Sequence, residues 1–143
     1  MANVTHKIFI DSSVLLAFVD RADNNHQKTV RIMDHLAKNN YQMFSSVQVI
    51  SEVYGALSRE VGVSIALEFV DSILQSDMEI LFPQRADLIS SYRILRSNRE
   101  RQVTLRESLM ASLMQKRGVN QILTFTYWHS LFGTQVSNLT TFS

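Results

Sequence analysis

Lys7-Ile8-Phe9-Ile10-Asp11-Ser12-Ser13-Val14-Leu15-Leu16 changes its hydrophobic period halfway along. The run up to Ile10 reads as a short buried strand, and Val14, Leu15 and Phe18 then recur at helical spacing after Ser12-Ser13. Asp11 therefore stands at the carboxyl end of a strand, where a helix begins. Outward from there, Asp23, Asn24 and Asn25 offer caps for a helix within Ala22 to Lys38, with Val30, Ile32, Met33, Leu36 and Ala37 apolar at helical spacing. Asn39-Asn40 supply turn chemistry, Tyr41 to Phe44 is a strand, and Ser45 or Ser46 caps a helix running to about Arg59. After Gly62, the apolar positions between Val63 and Leu74 predict another helix. Met78 to Phe82 is a third strand, stopped by Pro83. Helices follow over Arg85 to Leu95 and Thr104 to Arg117, then strands over Gln121 to Phe125 and Val136 to Leu139.

Strands alternating with helices call for parallel pairing, because parallel neighbours need long crossovers that helices fill. The expected fold is a single α/β domain over residues 1–143, three layers (α/β/α) around a short, mainly parallel sheet of four or five strands. In such sheets ligand sites form beyond the strands' carboxyl ends, which singles out Asp11, Ser45-Ser46 and the segment after Phe125.

The chain has 143 residues, 45% of them hydrophobic and 19% charged, with four Gly and one Pro, the balance of an ordered chain with one core. Cysteine is absent, which excludes disulfides and thiolate metal sites and leaves oxygen or imidazole as metal donors. No segment has the apolar length of a membrane span, and Met1 to Lys7 lack the apolar core of a signal peptide, so a cytoplasmic protein without membrane attachment is expected. The formal net charge of +1 gives no argument for or against a polyanionic partner.

Three carboxylates stand out. Asp11 is either a helix N-cap or a ligand, and spacing alone does not separate the two. Glu52 borders the apolar stripe Val49, Ile50, Val53, Tyr54, Ala56 and Leu57, where a carboxylate is paired, metal-bound, or reaches water past its neighbours. Glu107 lies in the first turn of its helix, where negative charge is favoured, and Thr104 with Glu107 fits a capping box. Brought together, three such acids would suit Mg²⁺ or Mn²⁺ and phosphodiester chemistry.

These blocks, in their order and spacing, resemble the PIN domain family, which includes the VapC toxins. Phe9 to Leu16 resembles its opening strand, first acid and hydroxyl neighbour Ser12. His26 falls at a helix-start histidine position. Ser45 to Val53 resembles the block whose helix glutamate is the second acid, and Val103 to Leu109 the block of the third, where Glu107 replaces the usual Asp. Ile122 to Thr126, with Phe132-Gly133 behind it, resembles the last block, where Thr126 takes the place of a common fourth Asp. The resemblance implies a metal-dependent ribonuclease with Asp11, Glu52 and Glu107 as catalytic ligands of Mg²⁺ or Mn²⁺, supported by Ser12 and Thr126. It also implies a homodimer and, for a toxin, a small antitoxin partner.

Six of the ten arginines (Arg85, Arg93, Arg96, Arg99, Arg101 and Arg106) fall within 22 residues. Arg96, Arg99, Arg101 and Arg106 are expected to hold RNA phosphates, against the plainer reading of a solvated helix face. Tyr127, Trp128 and His129 either meet an unpaired base or pack a loop. The competing function, motivated by Thr126, is a degenerate module that binds RNA or protein without cutting. A dinucleotide-binding domain is disfavoured because no G-x-G-x-x-G follows the first strand.

Overall fold

The first strand, β1 (Lys7–Ile10), lies in the middle of the sheet in a computed structural model that describes residues 6–142. Residues 1–5 and 143, part of the expected domain and of the leading segment, lie outside the described residues. Ile8, Phe9 and Ile10 are fully buried, as a strand covered on both faces requires. β1 pairs in parallel with β2 (Gln42–Ser46) on one side and β4 (Gln121–Leu123) on the other. β3 (Glu79–Leu81) and β5 (Gln135–Ser137) complete an all-parallel sheet of order β3-β2-β1-β4-β5.

The helices are α1 (Ser12–Val19), α2 (His26–Lys38), α3 (Val47–Glu60), α4 (Val63–Gln75), α5 (Arg85–Ser97) and α6 (Leu105–Lys116). The connections β1 to β2 and β2 to β3 step along the sheet one way, and β3 to β4 steps back across it. With right-handed crossovers, α1 to α4 then cover one face and α5 with α6 the other, giving the expected three layers. Phe9, Phe44, Leu36, Leu57, Met110, Met114 and Ile122 fill the core, each at most 1% exposed. Every such side chain contributes roughly 1.5–3 kcal/mol by leaving water.

Boundaries shift where side chains compete for backbone groups. α2 starts at His26 because Asp20 accepts from the Ala22 amide (3.0 Å) and Asp23 from the Asn25 amide (2.8 Å), closing two turns first. β2 runs on to Ser46 and α3 begins at Val47. Ser46 caps α3 by accepting from the Val49 amide at 3.3 Å, whereas Ser45 stays in the strand and donates to the Ile10 carbonyl at 2.9 Å. β4 ends at Leu123, two residues early, because the Phe125 amide turns to the Ser13 hydroxyl at 3.0 Å. That turn brings Thr124 beside Asp11. Among the described residues no helix is long and apolar enough to cross a membrane.

Candidate active site

The chain leaves β1 toward β2 on one side and reaches β4 on the other, so a crevice opens past the carboxyl ends of β1 and β4. Asp11 stands there, 1% exposed. Its Oδ1 accepts from the Ser12 amide at 2.7 Å, capping α1, and its Oδ2 accepts from the Thr124 hydroxyl at 2.8 Å. The carboxylate that caps α1 is thus also bonded from the residue that follows β4. Thr124 in turn meets the Thr126 hydroxyl at 3.1 Å, and its own Oγ1 accepts from the Thr126 amide at 3.2 Å.

Arg106, expected to hold an RNA phosphate, is bonded in the structure to Asp11 and Glu52. Its Nη2 donates to Asp11 Oδ1 at 2.6 Å and to Ser12 Oγ at 3.0 Å, and its Nε donates to Glu52 Oε1 at 2.8 Å. One guanidinium therefore joins two carboxylates that sit far apart in the sequence. Asp11 is almost wholly enclosed, while the side chains of Arg106 and Glu52 are 33% and 42% exposed. Burial works against the charge on Arg106, but bonding to Glu52 and the field of Asp11 outweigh it and raise its pKa above the ordinary arginine value. Arg106 stays a cation at every physiological pH.

Glu107 stands apart from this pair. It is 6% exposed, its Oε1 accepts from the Thr104 hydroxyl at 3.0 Å and its Oε2 from the His129 amide at 2.8 Å. Thr104 also caps α6 by accepting from the Glu107 amide at 3.0 Å. Glu107 thus ties the loop after β4 to the start of α6. Among the described residues no group of three or more Asp, Glu or His side chains is placed to hold a metal ion. The structure brings Asp11 and Glu52 onto one cation and leaves the third acid bracing the neighbouring loop.

That donor set still suits a hard cation. All its donors are oxygens, and Asp11 and Glu52 already share one cationic group, the guanidinium of Arg106. Mg²⁺ commonly takes one or two carboxylates, keeping waters and substrate phosphates for the remaining positions. A cleft of about 520 Å³ opens beside this pair, lined by Ser12, Ser13, Glu52 and Arg59 among others.

Arg96, Arg99 and Arg101 are exposed, the last two on a 3-10 turn (Arg99–Arg101) between α5 and α6. His129 Nε2 donates to the Arg101 carbonyl at 3.0 Å, which holds that turn against the loop after β4. Trp128 packs inward on Phe132, whereas Tyr127 is 74% exposed beside His129. His26 Nδ1 donates to the Ala17 carbonyl at 2.9 Å, joining α2 to α1.

Sequence reasoning missed two things here. The Asp11 to Arg106 to Glu52 bridge had no linear signal, because its members lie 95 and 54 positions apart. Thr124 had a weak one, as the hydroxyl just past β4 on the strand beside Asp11.

The PIN domain family model matches residues 8–125. No curated protein sequence matches the chain. Among solved structures, VapC20 of Mycobacterium tuberculosis, a toxin that cleaves the sarcin-ricin loop, is 18% identical with a TM-score of 0.70 over 88% of this chain and 92% of its own. FitAcB from Neisseria gonorrhoeae is 14% identical with a TM-score of 0.66, covering 92% and 97% of the two chains. VapBC from Salmonella typhimurium, solved bound to DNA, is also 14% identical with a TM-score of 0.66, covering 94% and 99%.

Proposed function

The chain belongs to the PIN domain family, and from that membership we propose that it is an endoribonuclease that hydrolyses RNA phosphodiester bonds with a divalent cation. The observation that carries this reading is the convergence of Asp11 and Glu52 on a single cation at the carboxyl edge of the sheet. Asp11 and Glu52 would hold Mg²⁺ or Mn²⁺, and what the bound ion supplies is Lewis acidity and charge neutralisation at a phosphoryl group. Asp11 is held in place by the Thr124 hydroxyl and the Ser12 amide, so it is oriented before any ligand arrives. Glu107 enters as a positioning residue, fixing the loop that carries Thr126 and Tyr127. Arg96, Arg99 and Arg101 bind the RNA backbone through salt-sensitive phosphate contacts.

The test is cleavage of single-stranded and structured RNA with EDTA, Mg²⁺ or Mn²⁺, by wild type and Asp11→Asn. Cleavage only with metal, abolished in the variant, is expected. Equal cleavage by Asp11→Asn would refute the assignment.

One observation favours a second reading, a domain that binds RNA or protein without cutting. Where the family commonly has a fourth Asp, Thr126 offers a hydroxyl already engaged with Thr124. If wild type is inactive throughout, a gain of metal-dependent cleavage by Thr126→Asp identifies a lapsed catalytic site, and no gain identifies a binding module.

VapBC and FitAcB are similar in fold, and we extend the proposal to a small antitoxin partner and a homodimer, with the protein acting in the cytoplasm. A groove of about 1200 Å³ lined by Leu15, Phe18, Ile65, Phe69, Ile73 and Met78 offers apolar area for a partner. Light scattering on the purified chain, alone and co-expressed with its neighbouring open reading frame, tests both.

A further inference from the structure

We infer that Arg106 is a tethered cation that occupies the position of the divalent ion in the free protein and must be displaced before that ion binds. The inference rests on the proposed role of Asp11 and Glu52 as the ion's ligands and says what regulates that site. Its basis is geometric: one guanidinium meets Asp11 Oδ1 at 2.6 Å and Glu52 Oε1 at 2.8 Å, so the same two carboxylates cannot turn those oxygens to a metal while Arg106 is in place.

Charge gives the exchange its direction. Asp11 and Glu52 carry two negative charges and Arg106 returns one, leaving the trio at minus one. A dication in the guanidinium's place neutralises both carboxylates. Against that, Arg106 is covalently present at a high effective concentration and loses no translational freedom on binding. It is also planar, with Nε and Nη2 each reaching a different carboxylate, a geometry that lysine could not reproduce.

Displacement has room to occur. Arg106 is one-third exposed and Glu52 more so, and the cleft lined by Ser12, Glu52 and Arg59 opens onto Glu52. An RNA phosphate arriving there offers the released guanidinium a new bidentate partner. Phosphate and dication therefore favour the same rearrangement, the phosphate by attracting Arg106 and the metal by taking the two carboxylates. The free protein is thus partly self-compensated by Arg106, and its metal affinity depends on substrate.

The experiment is Mn²⁺ titration by calorimetry on wild type, Arg106→Gln and Arg106→Lys, each first checked for native circular dichroism. Arg106→Gln is expected to bind Mn²⁺ at least tenfold more tightly than wild type, with Arg106→Lys between them. Unchanged or weaker binding by a folded Arg106→Gln overturns the inference. A second measurement needs no variant: Mg²⁺ is added to ¹⁵N-labelled wild type while the Arg106 Nε–H resonance is followed. Movement to a solvent-exposed position as Mg²⁺ saturates is expected, and an unmoved resonance at saturation also overturns it. Neither readout involves cleavage, so an inactive but metal-binding protein would sink the nuclease reading and leave this one standing.

Discussion

Glu107→Gln separates two roles for the third acid. In the structure its carboxylate receives two hydrogen bonds, from the Thr104 hydroxyl at 3.0 Å and the His129 amide at 2.8 Å, at 6% exposure. Glutamine keeps the volume and one carbonyl oxygen, which can still accept from His129. The remaining NH₂ then faces Thr104, whose hydroxyl can accept it. Packing survives, but two charge-assisted bonds become neutral, and such bonds differ by about 1 kcal/mol each. The favourable placement of a negative charge in the first turn of α6 is lost as well, a few tenths of a kcal/mol more. The expected cost is about 2–2.5 kcal/mol, or roughly 4–10 °C in Tm for a chain of this size. Equilibrium urea unfolding followed by circular dichroism measures it. Mn²⁺ affinity, measured on the same samples, is expected to stay within about threefold of wild type, against a loss of tenfold or more for Asp11→Asn. A Glu107→Gln protein with unchanged stability and a tenfold loss of metal affinity would show that Glu107 is a ligand rather than a brace, and the account of the site would have to be rebuilt on three acids.

Asp87 is wholly buried between α5 and α6, accepting from the Gln84 amide at 2.7 Å, the Ser112 hydroxyl at 2.7 Å and Lys116 Nζ at 2.9 Å. Asp87→Ala should cost about 2–4 kcal/mol in urea unfolding, less than a fully enclosed ion pair because Lys116 can turn to water. A cost under 0.5 kcal/mol would show that these bonds do not hold α5 to α6. Burial pushes the Asp87 carboxyl up, but the bonds from Lys116, Gln84 and Ser112 outweigh it and lower its pKa below the ordinary value. Its contribution is therefore complete above the unfolded pKa of about 3.9 and drains away as pH falls through the lower folded value. Wild type should lose stability below about pH 4 more steeply than Asp87→Asn, and parallel curves would count against it. For RNA, the double change Arg99→Ala and Arg101→Ala should weaken binding and flatten the salt dependence of log K by about 1.4, two phosphate contacts at about 0.7 each for a single strand. Binding is measured in EDTA from 50 to 200 mM KCl, and an unchanged slope would remove these side chains from the interface.

Much of the fold could be read from the chain because its signals are local. The change of period at Asp11, the serines before α3 and the Thr104 cap each specify a strand end or helix start through bonds within three residues. The errors in boundaries have one kind of cause, side chains that claim a backbone amide before the periodic element can, as Asp20 and Asp23 do before α2 and Ser13 does after β4. Asp87 shows the limit from the other side. The Gln84-x-x-Asp87 spacing at the start of α5 already encoded the bond in which Asp87 accepts from the Gln84 amide, but nothing local marked Asp87 as buried against α6. The bonds of Arg106 to Asp11 and Glu52 had no local sign, because charge density along a sequence does not say which cation turns inward.

The inward turn of Arg106 follows from Asp11. A carboxylate at 1% exposure is costly as a bare anion and must be compensated in every folded state, whether or not a metal is present. Two neutral donors, the Thr124 hydroxyl and the Ser12 amide, cover part of that cost but bring no positive charge. Arg106 brings it, and reaches Glu52 with its remaining geometry. If Asp11 and Glu52 hold the ion as proposed, the same requirement that lets the pocket fold sets the threshold a dication must overcome to enter it. Weakening Arg106 would ease metal entry while leaving Asp11 less well compensated in the free protein, so stability without metal and affinity for metal should move in opposite directions across substitutions at position 106.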